Sequence, residues 1–200
     1  MLQIVFSPEK LEVPGPAIFL DRDGVINCLR PGDYVLNWPQ FLFVPGIQAA
    51  LKQLSALNLP MIVISNQAAV GKGLLSPAAL EAITAQMQQT LLADGVSLTA
   101  AFYCPHRIDE NCDCRKPKPE MLFRAAREFN TDLKRSIFIG DSATDIQAAL
   151  AAGCQPILFG STDSEGTGNA LPTASVPLAR TPEDLFSVAL KCLNDRNASA

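Results

Sequence analysis

Histidine is almost absent from this chain of 200 residues. His106 is the only one, so no serine or cysteine has a free imidazole to act as its base. Positive charge is also scarce. Sixteen Lys and Arg against 20 Asp and Glu give a net charge of −4, and aromatic residues make up 6% of the chain. Neither a basic surface for a phosphate backbone or anionic membrane nor a stacking platform for nucleic acid follows from such a composition. The apolar run near the start, Leu2 to Phe6, stops before Glu9, Lys10 and Glu12. It is too short for a signal peptide or a membrane span, and a cytoplasmic location is the expectation. Charged residues make up 18% and hydrophobic ones 48%, with 12 Gly, 15 Pro and no internal repeat, which excludes disorder, collagen and long coiled coil. The length predicts one globular domain over 1–200, its core about 16–195, and a monomer is expected.

The apolar runs alternate between two periods. Ala17 to Leu20, Met61 to Ile64, about Leu98 to Tyr103, Ser136 to Ile139 and Pro156 to Phe159 read as buried strands. Between them lie helical stripes. Pro45 opens one with Ile47, Ala50, Leu51, Leu54 and Leu57. Ser76-Pro77 starts another with Leu80, Ile83, Met87 and Leu91, ending at Gly95. Pro119 opens a third with Leu122, Ala125 and Phe129, residues Ala143 to Ala151 form a fourth before Gly153, and Thr181 starts a last one to about Leu193. Strand and helix in alternation predict an α/β fold, a Rossmann-like parallel sheet with helices on both faces. Residues 160–179, rich in Gly, Ser, Thr and Pro, read as a surface loop.

In such a sheet ligands gather at the carboxyl ends of the strands. Those ends carry Asp21 and Asp23, then Ser65 and Asn66, then Arg115 and Lys116 beyond the third strand, then Asp141 and Asp145. Carboxylates brought together repel one another unless a cation intervenes, and oxygen ligands without histidine select Mg²⁺, placed between Asp21, Asp141 and phosphate oxygens. The Ser65 hydroxyl, the Asn66 amide and the Arg115 and Lys116 cations complement a phosphate. Magnesium and phosphate together imply phosphoryl transfer. With no activated serine, cysteine or histidine, Asp21 is left as the nucleophile, and Asp23 can protonate the leaving alcohol and then activate water. Any one of these short motifs alone is an ordinary turn or surface charge; their joint order at successive strand ends is the signal.

Three of the six cysteines crowd around the lone histidine. Cys104-x-His106, five intervening residues and Cys112-x-Cys114 supply three thiolates and one imidazole, the closed tetrahedral set of a structural Zn²⁺. That zinc loop, 104–114, leads directly into Arg115 and Lys116. Cys28, Cys154 and Cys192 read as buried reduced thiols.

The motifs resemble those of the haloacid dehalogenase superfamily of phosphatases. Phe19-Leu20-Asp21-Arg22-Asp23-Gly24 is similar to the first motif, Ile64-Ser65-Asn66-Gln67 to the second, Lys116 to the third, and Gly140-Asp141-Ser142-Ala143-Thr144-Asp145 to the fourth. The resemblance, over about 16–155, implies an Asp21 nucleophile, an Asp23 acid and base, and Mg²⁺ held by Asp21, Asp141 and the main-chain carbonyl of Asp23. It also implies that Asp145 supports the metal ligands from behind and that Ser65 and Lys116 hold the phosphate. Within the superfamily the run Cys112-Asp113-Cys114-Arg115-Lys116-Pro117 resembles the subgroup of heptose bisphosphate and histidinol phosphate phosphatases, whose members have almost no cap domain. The stretch Gly32-Asp33-Tyr34-Val35 with Phe41 and Phe43, and Asn66-Gln67 leading to Gly71-Lys72-Gly73, look like the heptose type, while the short zinc loop is similar to the histidinol type. A small phosphorylated metabolite, a sugar bisphosphate by preference, is the expected partner.

Other readings make different demands. A nucleotide phosphate loop at Gly71-Lys72-Gly73 fails, because its first glycine falls on Asn66 and Gly73 takes the Ser/Thr position. Lys72 then reads as a solvated loop charge. A polynucleotide 3'-phosphatase requires a basic groove. A zinc-stabilised binding module would show no Mg²⁺-dependent phosphate release.

Overall fold

The computed structural model describes residues 1–30, 33–160 and 176–198. Seven strands form one sheet in the order β1-β4-β3-β2-β5-β6-β7: β1 Leu2–Val5, β2 Ile18–Leu20, β3 Met61–Asn66, β4 Ala100–Cys104, β5 Ile137–Gly140, β6 Gln155–Phe159 and β7 Leu178–Ala179. The helices are α1 Ile47–Ser55, α2 Ala68–Gly71, α3 Pro77–Ala93, α4 Glu120–Phe129, α5 Ala143–Ala152 and α6 Pro182–Ala198. All pairings but β1 with β4 are parallel. The expected Rossmann-like sheet with helices is therefore present. None of the described helices is long and apolar enough to cross a membrane.

The central strands are covered on both faces, so they read as continuous apolar runs. Two apolar clusters result. Ile18, Leu20, Val63 and Ile139 pack with α1, α3 and α6 residues such as Leu51, Leu80 and Leu185. Phe19, Ile62, Ile64 and Phe138 point the other way, to Leu122, Phe129 and Ala149 of α4 and α5. Alternation across a strand produces this division, and each fully buried side chain stabilises the sheet by about 1.5–3 kcal/mol. Local signals set the helix ends: Ser76 Oγ accepts from Ala79 N at 3.1 Å, with Pro77 in the first turn of α3.

Several expectations are corrected. The apolar run at the N-terminus is an antiparallel edge strand, β1, which pairs Leu2 with Tyr103. The strand expected from Leu98 begins at Ala100, and Leu57 lies beyond the end of α1. The loop expectation for 160–179 falls mostly on 161–175, outside the described residues. Within its described part, Leu178–Ala179 pairs with Leu158 and Phe159 as β7. The insertion after β2 folds back on itself, with Cys28 N donating to Leu42 O at 2.7 Å and Val44 N to Ile26 O at 3.0 Å. It carries an aromatic cluster in which Phe41 stacks on Trp38 and meets Phe43 edge to face.

Candidate active site

Strands β2, β3 and β5 lie side by side and end at one edge of the sheet, so Asp21, Ser65 and Asp141 leave it at neighbouring points. Lys116 reaches them from the loop after β4. Its Nζ donates to Asp21 Oδ1 at 2.8 Å and to Ile64 O at 2.9 Å, and it stands 2.6 Å from Asp145 Oδ1. Only 3% of this side chain is exposed. The site brings together all four aspartates singled out above, but in two groups. Asp21, Asp141 and Asp145 each place an oxygen within 4.8 Å of the others. Asp23 stands apart, gripped by Arg22 Nη2 at 2.9 and 3.0 Å, Asn27 Nδ2 at 2.9 Å and Gln67 Nε2 at 2.6 Å.

Electrostatics follow this division. Burial, with the Asp21 and Asp145 charges added, pushes Asp141 up to about 8. Asp21 rises to about 6, mainly by burial, with Lys116 opposing and the Asp145 and Asp23 charges assisting. The Lys116 ammonium is held above its ordinary range because the Asp145 and Asp21 charges outweigh its burial. Asp23 goes the other way: burial works against its charge, but Arg22, Asn27 and Gln67 more than compensate. Crowded carboxylates that resist ionisation are the setting that a hard divalent cation relieves. The backbone leaves room beside them. Gly24 lies at φ +93°, and a Cβ there would stand 1.8 Å from Asp141 Oδ2. At Gly140 a Cβ would fall 2.3 Å from that of Asp145. The residues present therefore fit Mg²⁺.

The remaining site residues have separate tasks. Ser65 Oγ is buried and accepts from Gln67 Nε2 at 3.2 Å, leaving its own proton to donate. Asn66 uses both ends of its amide on Lys116, accepting from its N and donating to its O, each at 3.1 Å. Its side chain is thus bonded to the main chain of Lys116, a contact the sequence reading of Asn66 as a phosphate donor does not include. Arg115 is half-buried, with Nη1 donating to His106 O at 3.2 Å. Ser142 N and Oγ both donate to Asp145 Oδ2, at 3.1 and 2.6 Å, so one carboxylate caps α5 and pairs with Lys116.

Sequence reasoning missed Arg22, Asn27 and Gln67. Arg22 is 1% exposed, with its guanidinium carbon 5.9 Å from the ring centres of both Phe41 and Tyr103. A charged residue flanked by two aspartates reads as solvated unless its burial is known. Asn27, four residues after Asp23, and Gln67, directly after Ser65-Asn66, carried the available signal.

Cys104, His106, Cys112 and Cys114 converge at the end of β4. Cys104 Sγ lies 3.6 Å from both His106 Nδ1 and Cys112 Sγ, and Cys114 Sγ lies 3.3 Å from Nδ1 and 3.8 Å from Cys112 Sγ. Ligands about 2.0–2.3 Å from one zinc would stand roughly 3.3–3.8 Å apart, so the four atoms fit the edges of a zinc tetrahedron. Burial pushes the Cys104 thiol up to about 12, and a thiolate there calls for a cation. The cluster is wired to the acidic site: Gln67 N donates to Cys104 O at 2.7 Å, and Gly71 N to Pro105 O at 2.7 Å.

A parallel α/β sheet with acidic groups, a lysine and a hydroxyl at its carboxyl edge defines a phosphatase of the haloacid dehalogenase type. Residues 113–177 match the HAD-hydrolase-like family model. The D-glycero-alpha-D-manno-heptose-1,7-bisphosphate 7-phosphatase of Mycobacterium tuberculosis (strain CDC 1551 / Oshkosh) is 39% identical over 159 residues, covering 76% of this chain and 84% of the relative. The D-glycero-beta-D-manno-heptose-1,7-bisphosphate 7-phosphatase of Pseudomonas aeruginosa is 36% identical over 175 residues, 86% of this chain and 94% of the relative. The crystal structure of the B. bronchiseptica D,D-heptose 1,7-bisphosphate phosphatase complexed with magnesium and phosphate superposes with a TM-score of 0.79 at 34% identity, covering 90% of this chain and 99% of that one. The chain belongs to the heptose-bisphosphate phosphatases of the haloacid dehalogenase-like hydrolases.

Proposed function

We propose that this phosphatase removes the 7-phosphate of a D-glycero-D-manno-heptose 1,7-bisphosphate through an aspartyl-phosphate intermediate. The observation that carries the reading is Lys116 bridging Asp21 and Asp145 at the strand ends, with Asp141 beside them. An Asp21 oxygen attacks phosphorus while the bond to the sugar oxygen breaks, and Asp23 gives its proton to the departing alkoxide. Asp23 then takes a proton from water, whose oxygen bonds to phosphorus as the acyl-phosphate bond breaks and Asp21 is regenerated. Four hydrogen bonds hold Asp23 as a carboxylate, the form the second half requires, so its role as acid requires some of them to be released when substrate enters. Ser65, Arg115 and Lys116 supply donors and charge to the phosphate, and Asn66 fixes Lys116. Asp21, Asp141 and the Asp23 carbonyl would hold Mg²⁺, with Asp145 steadying Lys116 and the metal ligands; bound Mg²⁺ neutralises phosphate charge. A Zn²⁺ on Cys104, His106, Cys112 and Cys114 would fix the loop that presents Arg115 and Lys116.

The names of the relatives favour the heptose bisphosphate over histidinol phosphate. Acid quench during turnover of substrate radiolabelled at the 7-phosphate tests the mechanism. Label should remain on the wild-type protein and be absent from Asp21→Asn, which also stops phosphate release. Turnover by Asp21→Asn, or a higher kcat/KM for histidinol phosphate, would refute the reading.

A further inference from the structure

The chain holds six cysteines, and the phosphoryl chemistry above uses none of them. Cys104, Cys114, Cys154 and Cys192 are buried, whereas Cys28 and Cys112 are only half-buried and within reach of a small solute. Their neighbours differ. Cys28 Sγ faces a carbonyl, Phe43 O, at 3.6 Å. Cys112 Sγ faces sulfur on its inner side, with Cys104 Sγ, fully buried, at 3.6 Å and Cys114 Sγ at 3.8 Å. The main chain around it is pinned, since Lys118 Nζ donates to Cys112 O and to Asp113 Oδ1, each at 2.9 Å. A sulfur that ligates zinc is a thiolate, the nucleophilic form of the group. Cys112 thus combines an accessible thiolate with a second, shielded one directly behind it.

The same loop carries main-chain contacts on which the reaction depends. Cys104 O accepts from Gln67 N, Pro105 O from Gly71 N and His106 O from Arg115 Nη1, and Gln67 in turn holds Asp23. Any rearrangement of the sulfurs therefore reaches the acid and base of the reaction, although no sulfur touches the phosphate. The reacting groups themselves are carboxylates, an ammonium and a hydroxyl, which mild peroxide leaves intact.

We propose that Cys112 is a site of reversible oxidation by hydrogen peroxide, which bridges it to Cys104, expels the loop's Zn²⁺ and lowers phosphatase activity. This rests on the zinc reading of the cluster. In the first step the Cys112 thiolate attacks one peroxide oxygen, the O–O bond breaks and hydroxide leaves, so the sulfur becomes a sulfenic acid as the peroxide is reduced. The Cys104 thiolate then attacks that sulfur, and the S–S bond forms while the S–O bond breaks and a second hydroxide leaves. Two sulfurs have given two electrons to one peroxide, and solvent protons turn both hydroxides into water. Cys104 is the partner because a bridge to Cys114 would close a tight ring across a single residue. Cys114 and His106 alone are half of a closed zinc set, so the metal departs.

The test exposes the full zinc-loaded chain to hydrogen peroxide and follows three signals: zinc taken up by a chromogenic chelator, the bridge by peptide mass after thiol blocking, and kcat/KM for heptose 1,7-bisphosphate. The expected result is release of zinc in proportion to a Cys104–Cys112 bridge, with kcat/KM falling about a hundredfold as the positioned groups shift. A phosphine reductant with added Zn²⁺ should restore all three. Cys28→Ser, outside the loop, should respond as the wild type does. Peroxide that leaves Cys112 unmodified, zinc that stays bound once Cys112 is oxidised, a bridge between other cysteines, or unchanged kcat/KM after zinc has left overturns the proposal. A chain that takes up no zinc overturns the zinc reading with it. Untreated enzyme inactive on the heptose compound overturns the substrate reading alone, because zinc release and the bridge are read without substrate.

Discussion

Replacing Lys116 with methionine tests the electrostatic core of the site. The ammonium stands against two carboxylates, Asp21 and Asp145, at 2.8 and 2.6 Å, with side chains 3–9% exposed or less. Removing one member of a buried ion cluster leaves uncompensated charge and costs about 3–5 kcal/mol. For a chain of this size each kcal/mol moves Tm by about 2–4 °C, so a loss of roughly 6–20 °C is expected. The sign of its pH dependence also follows. Lys116 holds the Asp21 pKa down, so without it the folded-state pKa of Asp21 rises further above its ordinary value of 3.8. A carboxyl whose folded pKa is raised contributes stability below its unfolded pKa and loses it as pH rises through the folded one. The deficit of Lys116→Met should therefore widen between pH 5 and pH 8. Thermal melts in magnesium-free buffer across that range are the assay. A Tm within 2 °C of the wild type at pH 8, or a deficit that shrinks with pH, would refute the arrangement of charges.

Magnesium should raise Tm more at pH 8 than at pH 5, because Asp141, raised to about 8, and Asp21, raised to about 6, must give up protons to bind it; an equal shift at both pH values would contradict this. If the proposed Zn²⁺ is bound, its removal by a strong chelator should lower Tm by at least about 5 °C and reduce kcat/KM, since Gln67 N and Arg115 Nη1 bond to Cys104 O and His106 O of that loop, and added Zn²⁺ should restore both. Full activity of the stripped protein at unchanged Tm would rule out that anchoring. Gly24→Ala sets a methyl against Asp141 at a backbone angle reserved for glycine. Misplacement of this size is expected to cost about a hundredfold in kcat/KM with the fold retained by circular dichroism, and wild-type turnover would count against the cradle.

Much of the fold was legible because the central strands are covered on both faces. Ala17 to Leu20, Met61 to Ile64 and Ile137 to Ile139 are buried whatever direction they face, so continuous apolar runs betray them. Short or edge elements gave no such sign. β7 has two residues and exists only through its bonds to Leu158 and Phe159, and β1 is defined by its antiparallel partner β4. The acidic and cysteine motifs were legible because their chemistry depends on residue type and spacing. Asn66 was legible only in part: an amide is equally suited to a phosphate or to a main chain, and only position shows it bonded to the main chain of Lys116.

The amino-acid order alone determined the layers, the line of polar residues at successive strand ends and the four zinc-type ligands, because periodicity and local spacing are properties of the chain itself. Only tertiary structure decided that Arg22 is buried between Tyr103 and Phe41 as the clamp on Asp23, and that Lys116 joins Asp21 to Asp145. Those contacts join residues as far as 95 positions apart, and a charge acts through distance in space, which local sequence does not encode.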